Sequence, residues 1–179
     1  MSGVGSVYGQ ALYDLTKEEG TSETVMQQLA VLDEAFRGSP EFIRLLCAAN
    51  ISKEERCVVL DDSFRGKLDP NLLNFLKLLT EHGYMRHFSK CRQTFVSVYN
   101  EEHGILEVTA ITAVALTTQQ SDRLAQKLSA LTNKKITLTN RVDPACLGGV
   151  RLDYDGKRVD GTLRHRLEDI RTLLANTVL

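Results

Sequence analysis

The residue pattern predicts an α+β chain in two parts: an N-terminal six-helix bundle over 1–104, then a small α/β domain over 105–179. Three observations carry this. Up to Gly104 the apolar residues recur at helical spacing, whereas the first β-branched alternating run, ILEVTAITAVAL, begins at Ile105. The charge balance changes at the same point, with 11 basic and 15 acidic residues before Ile105 and 11 basic and 8 acidic after it. Finally, 179 residues with 42% hydrophobic and 25% charged content suffice for one large globular domain or two small ones.

The elements follow in order. A first helix is expected from about Val4 to Glu19, stopped by Gly20, with Val4, Tyr8, Ala11, Leu12 and Leu15 inside an arc of about 100°. The second starts at the Thr21/Ser22 cap, carries Val25, Leu29, Leu32 and Phe36, and ends at Gly38. Ser39 as N-cap with Pro40 at the first helical position opens the third. Ser52 and Glu55 form a capping box for the fourth. Asp69-Pro70 opens the fifth, which closes at Gly83, and the sixth runs from about Arg86 to Glu102. Beyond it come a strand over 105–114, a helix capped by Thr117 and Gln120, and the strand KKITLTNRV. GGVRLDY and KRVDG then pair around Asp155-Gly156, the strongest short hairpin signal in the chain. A last amphipathic helix uses Leu163, Leu167, Ile170, Leu173 and Leu174.

Several function classes are excluded early. A net charge of -1 denies the chain as a whole the basicity of a sequence-independent nucleic-acid binder. No window approaches the roughly 20 apolar residues of a membrane helix. The opening MSGVGSVYGQALYDLTKEEG has neither a secretory h-region nor an Arg-rich transit pattern, so a cytoplasmic or organelle-matrix location is expected. Cys47, Cys57, Cys91 and Cys146 show no CxxC pair and read as free thiols, with Cys47 and Cys57 expected to be buried. His87 and Cys91 could share a helix face, but two ligands do not make a structural site, so no metal and no cofactor are expected. GxxxxGK[ST], GxGxxG, GxSxG and HExxH do not occur, and no catalytic residues are nominated. Asp153, Asp155 and Asp160 surround a tight turn and read as turn formers.

Helix five stands out. Its Leu72, Leu73, Phe75, Leu76, Leu78 and Leu79 cover an arc of roughly 220°, about twice what one-sided packing needs. Either it is central and fully buried, or the edge formed by Phe75 and Leu78 awaits a partner helix.

Residues 147–174, LGGVRLDYDGKRVDGTLRHRLEDIRTLL, carry a resemblance. Gly148, Gly149, Val150, Gly156, Val159, Asp160, Gly161, Thr162, Arg164, Arg166, Leu167 and Ile170 match the C-terminal signature of the delta subunit of F-type ATP synthases, the family of the mitochondrial oligomycin-sensitivity-conferring protein. YGQALYDL, with Tyr8 and Ala11, resembles its first helix, and LNFLKLLTEHG its fifth. The pattern departs at Gly83-Tyr84, where an Arg is usual after the Gly, and at His165, where a small residue is common; neither departure is expected to touch the helical groove.

The resemblance implies a non-catalytic stator subunit of the peripheral stalk that resists rotor torque during proton-driven ATP synthesis. The N-terminal bundle would hold the N-terminal helix of an alpha subunit between helices one and five. Tyr8, Ala11 and Leu12 would line that groove with Phe75 and Leu78, small Ala11 permitting close approach and Phe75 supplying the anchor. The C-terminal domain would grip the peripheral-stalk b subunits, with Arg164 and Arg166 as contributors, while Gly148, Gly149, Asp160, Gly161 and Thr162 specify the local fold. The implied location is peripheral, on the cytoplasmic side of a bacterial inner membrane or in an organelle, with membrane contact only through the complex. Two other readings compete: a nucleic-acid-binding module built on the basic C-terminal domain, and an enzyme built on Cys91 and His87.

Overall fold

The computed structural model describes residues 3–48 and 50–167. The chain divides into two compact units, Met1–Tyr99 and Asn100–Leu179, so the division falls inside the last helical turn before the expected boundary at Gly104.

The first unit holds α1 (Val4–Glu18), α2 (Ser22–Gly38), α3 (Pro40–Leu46), α4 (Lys53–Phe64), α5 (Pro70–Glu81) and most of α6 (Phe88–Glu102), with a 3-10 turn at Met85–His87. Local chemistry sets these bounds. The Ser52/Glu55 capping box is formed, Asp69 caps α5 through the Asn71 N–H, and Gly20 and Gly83 follow their helices at positive φ. The core is built from α2 (Val25, Leu29), α5 (Leu72, Leu76) and α6 (Phe95), with Tyr13 of α1 edge-on to Phe95 at 5.5 Å. Across the unit Phe36 meets Phe88 at 5.0 Å, and the buried Asp33 carboxylate accepts from Arg37 at 2.7 Å and Arg92 at 3.3 Å, tying α2 to α6.

Two packing devices were not evident from periodicity. First, α1 buries Gly5, Gly9, Leu12, Tyr13 and Thr16 rather than its widest apolar stripe. A Cβ at Gly5 would strike the Lys90 side chain and one at Gly9 the Cys91 carbonyl, so only glycine lets α1 lie this close to α6. Second, Arg56 of α4 is buried and works as a clamp. Its Nη1 donates to the Leu46 carbonyl at 2.9 Å and reaches the Thr80 carbonyl at 3.5 Å, while Nε donates to the Ser52 carbonyl at 3.3 Å. These carbonyls include the C-terminal ends of α3 and α5, where backbone acceptors lack helical partners and a cation is favoured.

The second unit is a four-stranded sheet in the order β2-β1-β3-β4, from β1 (Ile105–Thr112), β2 (Lys135–Val142), β3 (Val150–Tyr154) and β4 (Lys157–Asp160). β1 and β2 are parallel, joined by α7 (Thr118–Thr132), whose Thr117/Gln120 capping box is formed; β3 is antiparallel to β1 and to β4. The register aligns Val108 with Leu138, Ala110 with Leu152, and Leu152 with Val159, one apolar face across the sheet. The opposite face carries Glu107, Thr137, Thr139, Arg151 and Arg158. Asp155 and Gly156 both take positive φ, the turn the hairpin signal required. β1 stops at Thr112, two residues short of the expected strand. Of the expected last helix, Leu163 and Leu167 fall in the helical turn that starts at 163, and Ile170, Leu173 and Leu174 lie outside the described residues.

Two substitutions test this packing in the full chain. Arg56→Met leaves buried carbonyls without a donor and is expected to cost about 2–4 kcal/mol, read as a lower urea midpoint, with Arg56→Lys recovering only part because an ammonium cannot fork. Gly9→Ala raises helix propensity by about 1 kcal/mol, yet should lower the midpoint because the added methyl meets backbone that cannot yield. A higher midpoint for Gly9→Ala would show that α1 and α6 can part at little cost.

Candidate partner-binding site

With its glycine face spent on α6, α1 turns a second, apolar face away from the core. Helical positions advance by about 100° per residue, which sets Val7, Ala11 and Leu15 beside one another, flanked by Val4 and Tyr8. Val7 is 56% exposed and Leu15 42%, Ala11 is exposed, and Val4 and Tyr8 are half-buried. α5 lies alongside. Asn71 at its start donates to Glu19 after the end of α1 at 2.6 Å, and Tyr84 beyond its end meets Tyr8 near the start of α1 at 5.9 Å, which makes the two helices antiparallel. On α5, Leu78 is 45% exposed, the one large apolar residue of that helix left outside.

Three sequence expectations need correction here. Leu12 is 4% and Phe75 6% exposed, so both side chains belong to the core. Phe75 falls on the buried arc of α5 with Leu79 and Leu72; it supports the surface from beneath and offers a partner no anchor. Leu12 sits beside Gly5 and Thr16 on the face turned inward. The third correction concerns Tyr84, which is not remote from the groove: its ring packs edge-on against Tyr8 and stacks with His82 at 6.0 Å. Val7 and Leu15 join Ala11 and Leu78 on the exposed surface, with Tyr8 half-buried beside them; Leu15 was already in the apolar stripe, and Val7 could have been found by widening that stripe by one position.

In the second unit the signature residues form a corner. Gly149 takes positive φ and a Cβ there would strike the Gly161 carbonyl, while a Cβ on Gly148 would press on the Leu163 side chain. Gly161 N–H donates to the Val150 carbonyl at 3.1 Å and Leu163 N–H to Gly148 at 3.0 Å. Asp160 Oδ1 accepts from the Thr162 N–H at 3.0 Å and its hydroxyl at 2.7 Å, and Thr162 Oγ1 in turn accepts from His165 N–H at 3.3 Å. These bonds hold the Asp160 carboxyl below the usual carboxylate range, the backbone N–H of Thr162 contributing most. Arg164 and Arg166 are exposed beyond this corner.

Nothing here assembles a catalytic centre from the cysteines. Cys91 is buried and His87 exposed, so they do not share a surface; burial pushes the Cys91 thiol up to about 11, leaving it protonated at neutral pH. Partial burial and then the Glu81 charge raise Cys57 as well. All four cysteines are free, but Cys47 and Cys57 are only half-buried: just past α3 and on α4, the fully buried positions are taken by Leu46 and Leu60. Among the described residues no group of three or more His, Cys, Asp or Glu could hold a metal ion, and no helix is long and apolar enough to cross a membrane. Tyr154 is the sole aromatic residue of the four strands, short of the stacking platform that sheet-based RNA binders use.

Residues 4–174 match the family model described as the ATP synthase delta (OSCP) subunit. The chain belongs to that family. The delta subunit of Anaeromyxobacter dehalogenans is 32% identical over 175 residues, covering 97% of this chain and 98% of its own length. That of Lacticaseibacillus casei is 31% identical, with 93% and 92% covered. A chain of the Toxoplasma gondii mitochondrial ATP synthase hexamer superposes with a TM-score of 0.77 over 97% of this chain and 98% of its own, at 18% identity, a likeness of fold. Family membership carries the function: the chain is a stator subunit of an F-type ATP synthase.

The corner makes one pH dependence calculable in sign. Because Asp160 is held below its unfolded value of about 3.9, its contribution to stability is present above that pH and is lost as pH falls through the lower folded value. NMR titration of the full chain should place the Asp160 carboxyl below about 3.9, and Asp160→Asn, which keeps an acceptor for Thr162, should flatten the acid limb of stability. A titration at or above the unfolded value would overturn the capping role.

Proposed function

We propose that the first unit acts as a six-helix bundle that receives the amphipathic N-terminal helix of an alpha subunit between α1 and α5, and that the second unit holds the peripheral-stalk b subunits. On this reading the protein is non-catalytic and joins the alpha-beta hexamer to the stalk, so that the hexamer does not turn with the rotor. It is a peripheral protein, held at the membrane through the complex. The observation that carries the first half is the unspent apolar face of α1, Val7, Ala11 and Leu15, beside Leu78 of an antiparallel α5. An apolar strip between two helices is the surface an amphipathic helix fills. Ala11 is its smallest member, and a small side chain there lets a third helix approach closely; Leu78 and Leu15 supply apolar area worth about 1.5–3 kcal/mol each when buried. Support for the second half is the basic balance of residues 105–179 and the exposed Arg164 and Arg166.

Ala11→Asp puts a charge on a position that is already exposed, so the bundle should keep its circular dichroism and urea midpoint. Burial of that charge under a partner helix should cost at least about 1–3 kcal/mol, weakening capture of an alpha N-terminal peptide by about tenfold to a hundredfold. Unchanged affinity in isothermal titration would remove the groove from this face.

A further inference from the structure

A polar pocket of about 260 Å³ opens beside the corner of the second unit, lined by Asp143, Arg151, Asp160, Thr162, Arg164 and His165. Arg151 brings to it a buried donor without a hydrogen bond. It projects from β3, paired with Ile111 on one side and Asp160 on the other, and its Nε is buried with no hydrogen-bond acceptor. The nearest carboxylate in ion-pair range, Asp153 Oδ1, lies at 3.6 Å and already accepts from Arg158 Nε at 3.1 Å. Each of the pocket's own carboxylates has one oxygen held by backbone, Asp160 Oδ1 by Thr162 and Asp143 Oδ1 by the Ala145 N–H at 3.0 Å, and neither accepts a hydrogen bond from Arg151 Nε. A buried guanidinium donor without an acceptor costs free energy and calls for a partner. Among the described residues nothing accepts a hydrogen bond from Arg151 Nε, and the surroundings favour an anionic partner, since residues 134–167 carry eight Lys and Arg against four Asp.

We propose, on the reading that the second unit faces the stalk, that this pocket takes one carboxylate of an acidic stalk helix, with Arg151 as its main donor and Arg164 and His165 at the rim. A carboxylate is the planar, two-oxygen acceptor that a guanidinium matches, and the pocket has room for one acidic side chain or a chain terminus rather than a length of helix. Arg151 is thus a recognition residue distinct from the exposed Arg166, which lies outside the pocket and supplies charge without enclosure.

The test uses the full chain and isothermal titration with three helical peptides. One ends in Glu-Glu with a free terminus, one has the same sequence with an amidated terminus, and one carries Gln for Glu with a free terminus. Loss of binding only on amidation identifies the chain terminus as the source, and loss only on the Gln change identifies the side chain. Arg151→Gln should weaken the preferred peptide at least tenfold without lowering the urea midpoint, whereas Arg158→Gln, whose guanidinium is spent on Asp153, should change it by less than about twofold. Equal affinity for the wild-type chain and Arg151→Gln, or no binding of any peptide, overturns the pocket. A soluble b-subunit fragment separates the two readings. If it binds wild type and Arg151→Gln alike, the pocket fails and the stalk contact stands; if it does not bind wild type while the peptides do, the stalk contact fails and the pocket stands.

Discussion

The close approach of α1 to α6 is the constraint from which the exposed apolar strip follows. Two glycines one turn apart, Gly5 and Gly9, remove the side chains that would hold the helices at ordinary distance. Packing α1 through its barest face looks wasteful, since glycine buries little apolar area and weakens a helix by roughly 1 kcal/mol relative to alanine. What it leaves outside is the reason it makes sense. With Gly5, Gly9, Leu12, Tyr13 and Thr16 turned inward, Val7, Ala11 and Leu15 must point outward, because 100° per residue allows no other arrangement. Had the wider apolar stripe packed inward, the unit would be more conventional and would have no apolar strip to offer.

A strip of this kind is useful only if its second wall stays in place. Leu78 belongs to α5, whose core face is held by Leu72, Leu76 and Leu79 and whose C-terminal end is gripped through Thr80 by Arg56. The same guanidinium holds the end of α3. Burial of a charge is expensive unless it is hydrogen-bonded, and here backbone acceptors at helix C-termini meet that need. At the far end of the strip Tyr84 wedges against Tyr8, so α1 and α5 are linked at both ends, by ring packing there and by the Asn71–Glu19 bond at the other.

Much of this was legible in the sequence, and the parts that were not share a cause. Caps and turns are local chemistry, so Ser52/Glu55, Thr117/Gln120, Asp69-Pro70 and Asp155-Gly156 could be read directly. Helical periodicity located the apolar residues of α1 and α5, but it does not say which side of an arc faces the core when the arc is wide. Leu12 and Phe75 therefore read as surface and are core; for Leu12 the decision depends on α6, which sits some eighty residues further along the chain than α1. Arg56 was invisible for a similar reason: an arginine in a capping-box helix looks solvated until two distant carbonyls arrive beside it. The glycines of α1 carried a signal that hydrophobicity does not weigh, two small residues at helical spacing on one face.

On the proposed reading, the two units offer partners opposite kinds of contact. The first is acidic in sum yet presents an apolar strip, so its affinity rests on removing hydrocarbon from water and is little screened by salt. The second is basic and presents guanidinium groups, whose attraction weakens as ions accumulate within the Debye length. A stator must hold two structures at once and be loaded by torque between them, and attachments of different physical origin do not fail together. If the two attachments are as proposed, a rise in ionic strength would loosen the charged grip and spare the apolar one, while cooling would weaken the hydrophobic attachment and leave ion pairs largely intact. Near-neutral net charge is then the sum of two surfaces built for different tasks, which is why it says so little by itself about what the chain binds.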